Sequence, residues 1–373
     1  MKSNVPALCV VGPLPPPAGG MANQCEQLVR LLRRDGVRVE LVRTNEPYRP
    51  AWAGRIPVLR AAVRLPRYLW QLWRAAGRSE TMHVLANSGW SWHLFAAPAI
   101  VIGRLRGLRV IVNYRGGNAQ RFLARSRAPV VAALRMAHAL VTPSSFLQRV
   151  FSEYGMQAQV VPNIVDLLRF RPASERAFGM APHIIVTRNL ELIYDIPTAV
   201  RAFALVREEF RDAQLTVAGS GPELPRLQAL AAELGLDGCV RFSGRIDNAD
   251  IPALYASADC MLNPSTVDNM PISILEAHAS GIPVVSTNVG GIPDIVDDGV
   301  SALLVPPGDH QAMARAAIQV LADRSLAQRM RAAGLASVSR YAWPEVREQW
   351  FRIYCDRDRM IENTASCPIC KGA

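Results

Sequence analysis

Residues Asp259–Gly308 read DCMLNPSTVDNMPISILEAHASGIPVVSTNVGGIPDIVDDGVSALLVPPG. The apolar runs are short and bounded by Pro, Gly, Asn and Asp. They read as strand, turn, helix, strand, Gly-Gly turn, short helix and strand. Pro271 stands where a helix favours its first residue, and Gly281 at the left-handed position past its end. Asp268 and Asn269 lie in the turn before this helix, and Glu276 lies about two turns inside it. Between the carboxylates stand backbone N–H groups with no partner inside the helix. Hydroxyls seek carboxylate acceptors, and a phosphate seeks free N–H groups at a helix N-terminus. The pattern therefore suits a sugar joined to a phosphate. Each carboxylate also has a plainer use, Asp268 as an N-cap and Glu276 as a solvated helix residue.

Outward from this segment the same alternation recurs. VPALCVVG is a strand, the loop LPPPAGGM ends in Gly19 and Gly20, a helix runs from Met21 to Arg34, and VRVELVRT is a second strand. This βαβ opening predicts a parallel, doubly wound α/β sheet. The loop lacks a GxGxxG fingerprint, so no dinucleotide site is read from it. Gly19-Gly20 before a helix suits either a phosphate approach or an ordinary connection. TMHVLANS and LRVIVNYRGG are further strands, and the second delivers Arg115 to a strand's carboxyl end, where open α/β sheets bind ligands. PHIIVTRN then restarts the alternation, with helix 196–210 and the strands AQLTVAGSG and CVRFSGRI. That restart makes a second sheet.

The length, 373 residues, suits two domains, and half of the chain is hydrophobic. No apolar run reaches the length of a membrane-spanning helix. Ala7–Gly12 is too short for a signal-peptide core and reads as a buried first strand. Seven scattered cysteines fit a reduced cytoplasm, and Cys367 and Cys370 form a lone CxxC with no second pair.

Charge is unevenly placed. Residues 1–165 hold 22 Lys+Arg against 6 Asp+Glu, while the remainder holds 20 against 25. From Pro47 to Ser152 the only acid is Glu80, against 16 arginines. Such a block calls for a polyanionic partner or surface. Residues 53–78 interleave Arg60, Arg64 and Arg67 with Tyr68, Trp70 and Trp73 at helical spacing, broken into short pieces by Pro57 and Pro66. That is the composition of a helix lying in lipid headgroups, or of ordinary surface helices with one core face. No nucleic-acid motif accompanies the basic block, and its aromatics follow helical spacing, so no nucleic-acid partner is expected.

Pro264, Ser265, Asp268, Glu276, Gly281, Pro283, Val284, Val285, Gly290 and Gly291 together resemble the acidic-x7-acidic signature of retaining GT-B glycosyltransferases of family 4. The resemblance is specific in the second half, weaker in the first, and extends to about Arg357. It implies two Rossmann-like domains facing a cleft. The acceptor-side domain would be 1–165 plus 341–373, with YAWPEVREQWFRIY as a returning helix, and the nucleotide-sugar domain 166–340. It implies that Asp268, Asn269 and Met270, with Pro271 opening the helix, orient the donor sugar, and that Glu276 holds the ribose. The backbone of Gly244, Arg245 and Ile246 would read the base, Arg188 would neutralise the diphosphate, and Gly19-Gly20 would face the substrates. It implies no metal, and no metal-ligand spacing appears: the Asp-x-Asp at Asp356 and Asp358 lies in the C-terminal tail. His278, two residues past Glu276, falls on another helix face and reads as structural.

Two departures matter. The family usually has His-Gly where this chain has Tyr114-Arg115-Gly116, so Arg115 is expected to face a phosphate or acceptor anion. The family also usually places a Lys about five residues after the Arg, where this chain has Ile193 and Tyr194. The expected function is transfer of a hexosyl unit from a UDP- or GDP-linked sugar to a hydroxyl. The expected acceptor is a membrane-associated glycan or lipid-linked saccharide of envelope polysaccharide synthesis, met at the inner face of the cytoplasmic membrane. The other readings are a nucleotide-sugar epimerase, and a non-catalytic binding protein of the same fold, which the missing Lys favours.

Overall fold

A computed structural model describes residues 5–16, 19–46, 57–172 and 181–356, with only the backbone described for 57–63. Cys367, Cys370 and Asp358 lie outside these residues. The chain divides into two compact units, one formed by the chain up to Ile164 together with the segment from Val346, the other by Val165–Glu345. These divisions fall one and five residues from those expected. Val165 N donates to the Tyr341 carbonyl at 3.0 Å, and Val165 bridges Ala342, which keeps both stretches in the second unit.

The first unit contains β1 (Leu8–Gly12), β2 (Val39–Arg43), β3 (Thr81–Ala86), β4 (Arg109–Tyr114), β5 (Ala139–Thr142) and β6 (Gln159–Val160), ordered β2-β1-β3-β4-β5-β6. The second contains β7 (His183–Val186), β8 (Gln214–Ala218), β9 (Val240–Gly244), β10 (Cys260–Asn263), β11 (Val284–Thr287) and β12 (Ala302–Val305), ordered β12-β11-β10-β7-β8-β9. Every pairing is parallel, as expected of strands joined by helical crossovers. β1, β3, β10 and β11 are buried along their whole length, which is why they read as continuous apolar runs without alternation.

In each sheet the order reverses beside the first strand. In the second unit β7 pairs with β10 on one side and β8 on the other. In the first, β1 pairs with β2 and β3. Loops leaving adjacent strands at such a reversal part to opposite faces and leave a crevice at the carboxyl edge.

Helix Gly20–Arg34 starts one residue before the expected position and seats Cys25, Leu28 and Leu32 against the sheet. Gly12 permits this approach, because a Cβ there would lie 2.8 Å from Cys25 Sγ. Pro57–Ala76 is one helix rather than short pieces. Pro66 sits on its exposed side, where water can replace the hydrogen bond it forgoes. Tyr68, Leu72, Ala75 and Ala76 are its core side.

The helix Trp343–Cys355 carries the chain back to the first unit. There His83 on β3 lies 4.6 Å from the Trp350 ring, and its Nδ1 is 2.8 Å from the Tyr354 hydroxyl. Burial, reinforced by Arg115, pushes the His83 pKa down to about 3, so the imidazole is neutral. Among the described residues no helix is long and apolar enough to cross a membrane.

Candidate functional site

The switch point of the second sheet gathers most of the expected residues. Arg188 leaves β7 in the loop Thr187–Leu190, and the neighbouring strand β10 leads through Pro264 to Asp268. Arg188 Nη2 donates to Asp268 Oδ2, with both side chains nearly out of solvent, 11% and 12% exposed. Nη1 donates to Ser273 Oγ at 3.4 Å, and Nε is buried without a protein partner. The guanidinium lies 4.2 Å from the Tyr194 ring centroid, a cation–π contact. Tyr194 therefore supports Arg188 where the family resemblance would place a second cation.

Asp268 is held by more than Arg188. Its Oδ1 accepts from Met270 N at 3.2 Å, in the manner of an Asx turn. Its carbonyl accepts from Gly291 N at 2.9 Å. Gly290 has φ +57, and a Cβ there would overlap the Asp268 carbonyl oxygen. The Gly-Gly turn is thus the brace of the Asp268 loop. Burial raises the Asp268 pKa, while Arg188 and the N–H groups of Met270 and Asn269 oppose the rise. The loop rests on buried polar contacts: Ser265 Oγ donates to Asn263 Oδ1 at 3.1 Å, and Asn263 Nδ2 to Ser286 Oγ at 2.9 Å.

The following helix spans Ile272–Ala279, with Pro271 as its extended N-cap rather than its first helical residue. Glu276 is its fifth residue, little more than one turn in, not two. Gly281, at φ +68, ends it in the left-handed conformation expected. Ser273 and Glu276 share one face, where Tyr255 OH donates to Glu276 Oε2 at 3.0 Å and to the Ser273 carbonyl at 3.2 Å. Thr187 Oγ1 lies 2.7 Å from the same hydroxyl. Burial pushes the Glu276 pKa up to about 7, against the pull of Tyr255, Arg169 and Arg188. His278 is buried on another face, with Nε2 3.1 Å from the Ser301 carbonyl, as a structural residue would be.

β9 ends at Gly244, whose φ is +64, and its carbonyl accepts from Gly219 N at 2.8 Å. Arg245 is exposed and Ile246 is packed on the apolar cluster behind the Asp268 loop. Gly219 and Gly221 lie so close to Arg188 and Leu190 that a Cβ on either would overlap their carbonyls. So the loops after β7, β8, β9, β10 and β11 interlock at one edge of this sheet.

Arg115, Gly19 and Gly20 belong to the first unit and lie on its own carboxyl edge. Gly19 is the extended N-cap of helix Gly20–Arg34, which has no side-chain cap and no acid in its first turn. Arg115 Nη2 donates to Asn163 Oδ1, and burial lowers its pKa to about 10, opposed by Cys25. Gln24 ties the same helix to Ile164, donating to its carbonyl and accepting from its N–H, both at 2.8 Å. Among the described residues no group of three or more His, Cys, Asp or Glu side chains is placed to hold a metal ion.

Residues 170–336 match the family described as Glycosyl transferases group 1, and residues 18–169 match Glycosyltransferase Family 4. The chain belongs to the group 1 glycosyltransferases. It is 31% identical over 220 residues to N-acetyl-alpha-D-glucosaminyl L-malate synthase of Bacillus anthracis, a match covering 59% of this chain and 56% of that protein. It is 29% identical over 363 residues to a GDP-mannose-dependent alpha-(1-6)-phosphatidylinositol monomannoside mannosyltransferase of Mycolicibacterium smegmatis, covering 88% and 92%. The chain spans about half the length of the other curated relatives it matches first, such as 51% of a Corynebacterium jeikeium D-inositol 3-phosphate glycosyltransferase.

Solved structures share the fold. Anabaena HepE in complex with UDP and glucose superposes with TM-score 0.70 at 17% identity, covering 93% of this chain and 99% of that one. Sucrose-phosphate synthase of Thermosynechococcus elongatus gives 0.75 at 20% identity, covering 93% and 98%. These likenesses establish the two-domain α/β GT-B fold.

Sequence reasoning about this group 1 glycosyltransferase missed Tyr255, Ser273 and the role of Tyr194. Tyr255 precedes Glu276 by 21 residues, and no spacing rule connects them. Ser273 was reachable, since i and i+3 share a helix face. In the sequence Tyr194 shows only that no Lys stands there; its stacking on Arg188 needs the fold.

Proposed function

We propose that this protein is a retaining hexosyltransferase, moving a sugar from a UDP- or GDP-linked donor to an acceptor hydroxyl. The observation that carries the reading is the Arg188–Asp268 pair at the switch point of the second sheet, with Glu276 one helix turn away. Glu276 would accept hydrogen bonds from the ribose hydroxyls, the Gly244–Ile246 backbone would meet the base, and Arg188 would face the diphosphate. Asp268 and the N–H groups of Asn269 and Met270 would orient the sugar. The bond from the sugar's anomeric carbon to the diphosphate oxygen breaks, the acceptor oxygen bonds to that carbon from the same face, and the leaving diphosphate takes the acceptor proton. Fixed positive groups aimed at a leaving diphosphate are often the largest catalytic contribution. HepE was solved with UDP and glucose, and the mycobacterial relative is named for GDP-mannose, which supports a donor of this class.

The acceptor we propose is a membrane-associated glycan or lipid-linked saccharide, met at the inner face of the cytoplasmic membrane, because residues 1–165 are so strongly basic. The test is a thermal-shift screen with UDP, GDP and their sugar conjugates, repeated with Glu276→Gln, followed by transfer assays. Selective stabilisation that Glu276→Gln removes is expected. No stabilisation by any nucleotide rejects the site.

One observation favours a second reading, donor binding without turnover: Tyr194 stands where the resemblance has a second cation. Binding by the wild type with transfer only in Tyr194→Lys would establish that reading.

A further inference from the structure

The helix Pro57–Ala76 has two apolar sides, and only one is core. Tyr68, Leu72, Ala75 and Ala76 are buried, whereas Trp70 is 61% exposed and Trp73 46%. Arg67, Trp70, Trp73 and Arg74 follow at three- and four-residue spacing and form a stripe turned away from the sheet. The helix Ala97–Leu105 packs beside it and repeats the division. Ala99, Ile100 and Gly103 are buried, while Val101 is 39% exposed and Leu105 72%. The two stripes meet. The Arg106 guanidinium, just past Leu105, lies 4.7 Å from the Trp73 ring, and that of Arg74 lies 5.4 Å from the Trp70 ring.

Large aromatics exposed together call for a partner. The chemistry of this patch is specific: indoles and aliphatic groups at the centre, guanidiniums seated on the indoles, and one acid at the margin, Glu46, paired with Arg67 at 3.1 Å. A second copy of the chain would bring the same positive surface and be repelled. Nucleic acid would find the indoles on helix faces, not on a base-stacking sheet. An anionic bilayer matches both properties, because Trp settles at headgroup depth and Arg binds lipid phosphate. Four arginines in Pro57–Ala76 keep that helix on the surface rather than across it.

Position within the first unit adds to the argument. Both helices end just before β3 and β4 begin, so the patch lies toward the amino edge of the sheet. Arg115 and Gly19 lie at the carboxyl edge. We infer that Trp70, Trp73, Val101 and Leu105, with Arg74 and Arg106, form a docking surface for an anionic lipid bilayer, one that leaves the carboxyl edge of the first sheet open. This rests on the membrane-acceptor reading above and names the surface that serves it.

The experiment is co-sedimentation of the full chain with vesicles of phosphatidylcholine alone and with one third phosphatidylglycerol, alongside nucleotide thermal shift on the same samples. Binding only to anionic vesicles is expected. Trp70→Ser/Trp73→Ser should lower the partition coefficient at least about tenfold, and Arg74→Glu/Arg106→Glu at least about thirtyfold. All six positions lie outside the nucleotide site, so the thermal shift should be unchanged and also reports that the variants are folded. Bromine-labelled lipid should quench wild-type indole fluorescence, and Trp90→Phe, at an exposed tryptophan outside the patch, should keep that quenching. Wild type that ignores anionic vesicles, or folded variants that bind like wild type, overturns the inference. Failure of the thermal shift with intact vesicle binding would overturn the glycosyltransferase site instead.

Discussion

The two units use the same architecture to different ends. Both are six-stranded parallel sheets with a reversal beside their first strand. In the second unit the reversal is filled with side-chain chemistry: Arg188 from β7 meets Asp268 from β10, and the loops around them interlock through glycines. In the first unit the corresponding edge presents backbone: an uncapped helix start at Gly19-Gly20, with Arg115 turned onto Asn163. One topology can therefore line its crevice with side chains in one unit and with backbone in the other. The second unit invests sequence at its crevice; the first invests it in a basic, aromatic outer face.

The largest expected effect comes from breaking the second unit's centre. Arg188→Ala should lower kcat about 10²–10³-fold, the usual cost of one electrostatic donor to a developing charge. A steady-state assay showing unchanged kcat would move the diphosphate contact elsewhere. Gly290→Ala sharpens the comparison through the backbone. Its φ of +57 and the nearby Asp268 carbonyl make the strain about 1–3 kcal/mol, visible in denaturant unfolding and as a lost nucleotide shift. Gly19→Ala is the matched control: a Cβ there meets nothing within 4 Å, so the cost should be only that of a poorer N-cap, about 0.5 kcal/mol.

Tyr255→Phe should be milder, about 1 kcal/mol, because it removes one hydroxyl shared by Glu276, Ser273 and Thr187. Nucleotide affinity should fall roughly fivefold by calorimetry; an unchanged affinity would detach Tyr255 from the site. The remaining effect is a pH dependence. The folded protein holds the Glu276 proton up to about pH 7, above the ordinary value of 4.5. The stability this adds is complete in acid and is lost as pH rises from about 4.5 to about 7. Nucleotide binding should run the other way and tighten as pH rises through 7, when the carboxylate becomes the better acceptor for ribose hydroxyls. Glu276→Gln should flatten both curves; a curve that survives it assigns the titration to another group.

What could be read from the residues follows the range of the interactions. Buried parallel strands announce themselves as apolar runs, and the Asp268–Glu276 block is local, so both were legible. Pro66 misled because a proline breaks a helix only where its missing hydrogen bond cannot be made good. The helix 57–76 was ambiguous because Tyr68 and Trp70 look alike as letters, yet one is 2% exposed and the other 61%. Tyr194 and Tyr255 act through partners brought close only by the sheet, and Arg115 found Asn163 across 48 residues of chain.

The returning helix sets a timetable. The Tyr354 hydroxyl that meets His83 on β3 is made 271 residues after it. At about 5–20 residues per second that interval is tens of seconds. Trp350 and Tyr354, 2% and 1% exposed, are part of the first unit's interior, so its core stays open until these residues have been made. The second unit, one uninterrupted stretch of chain, can close meanwhile. Of the two units, the one whose chain is begun first is the one that closes last.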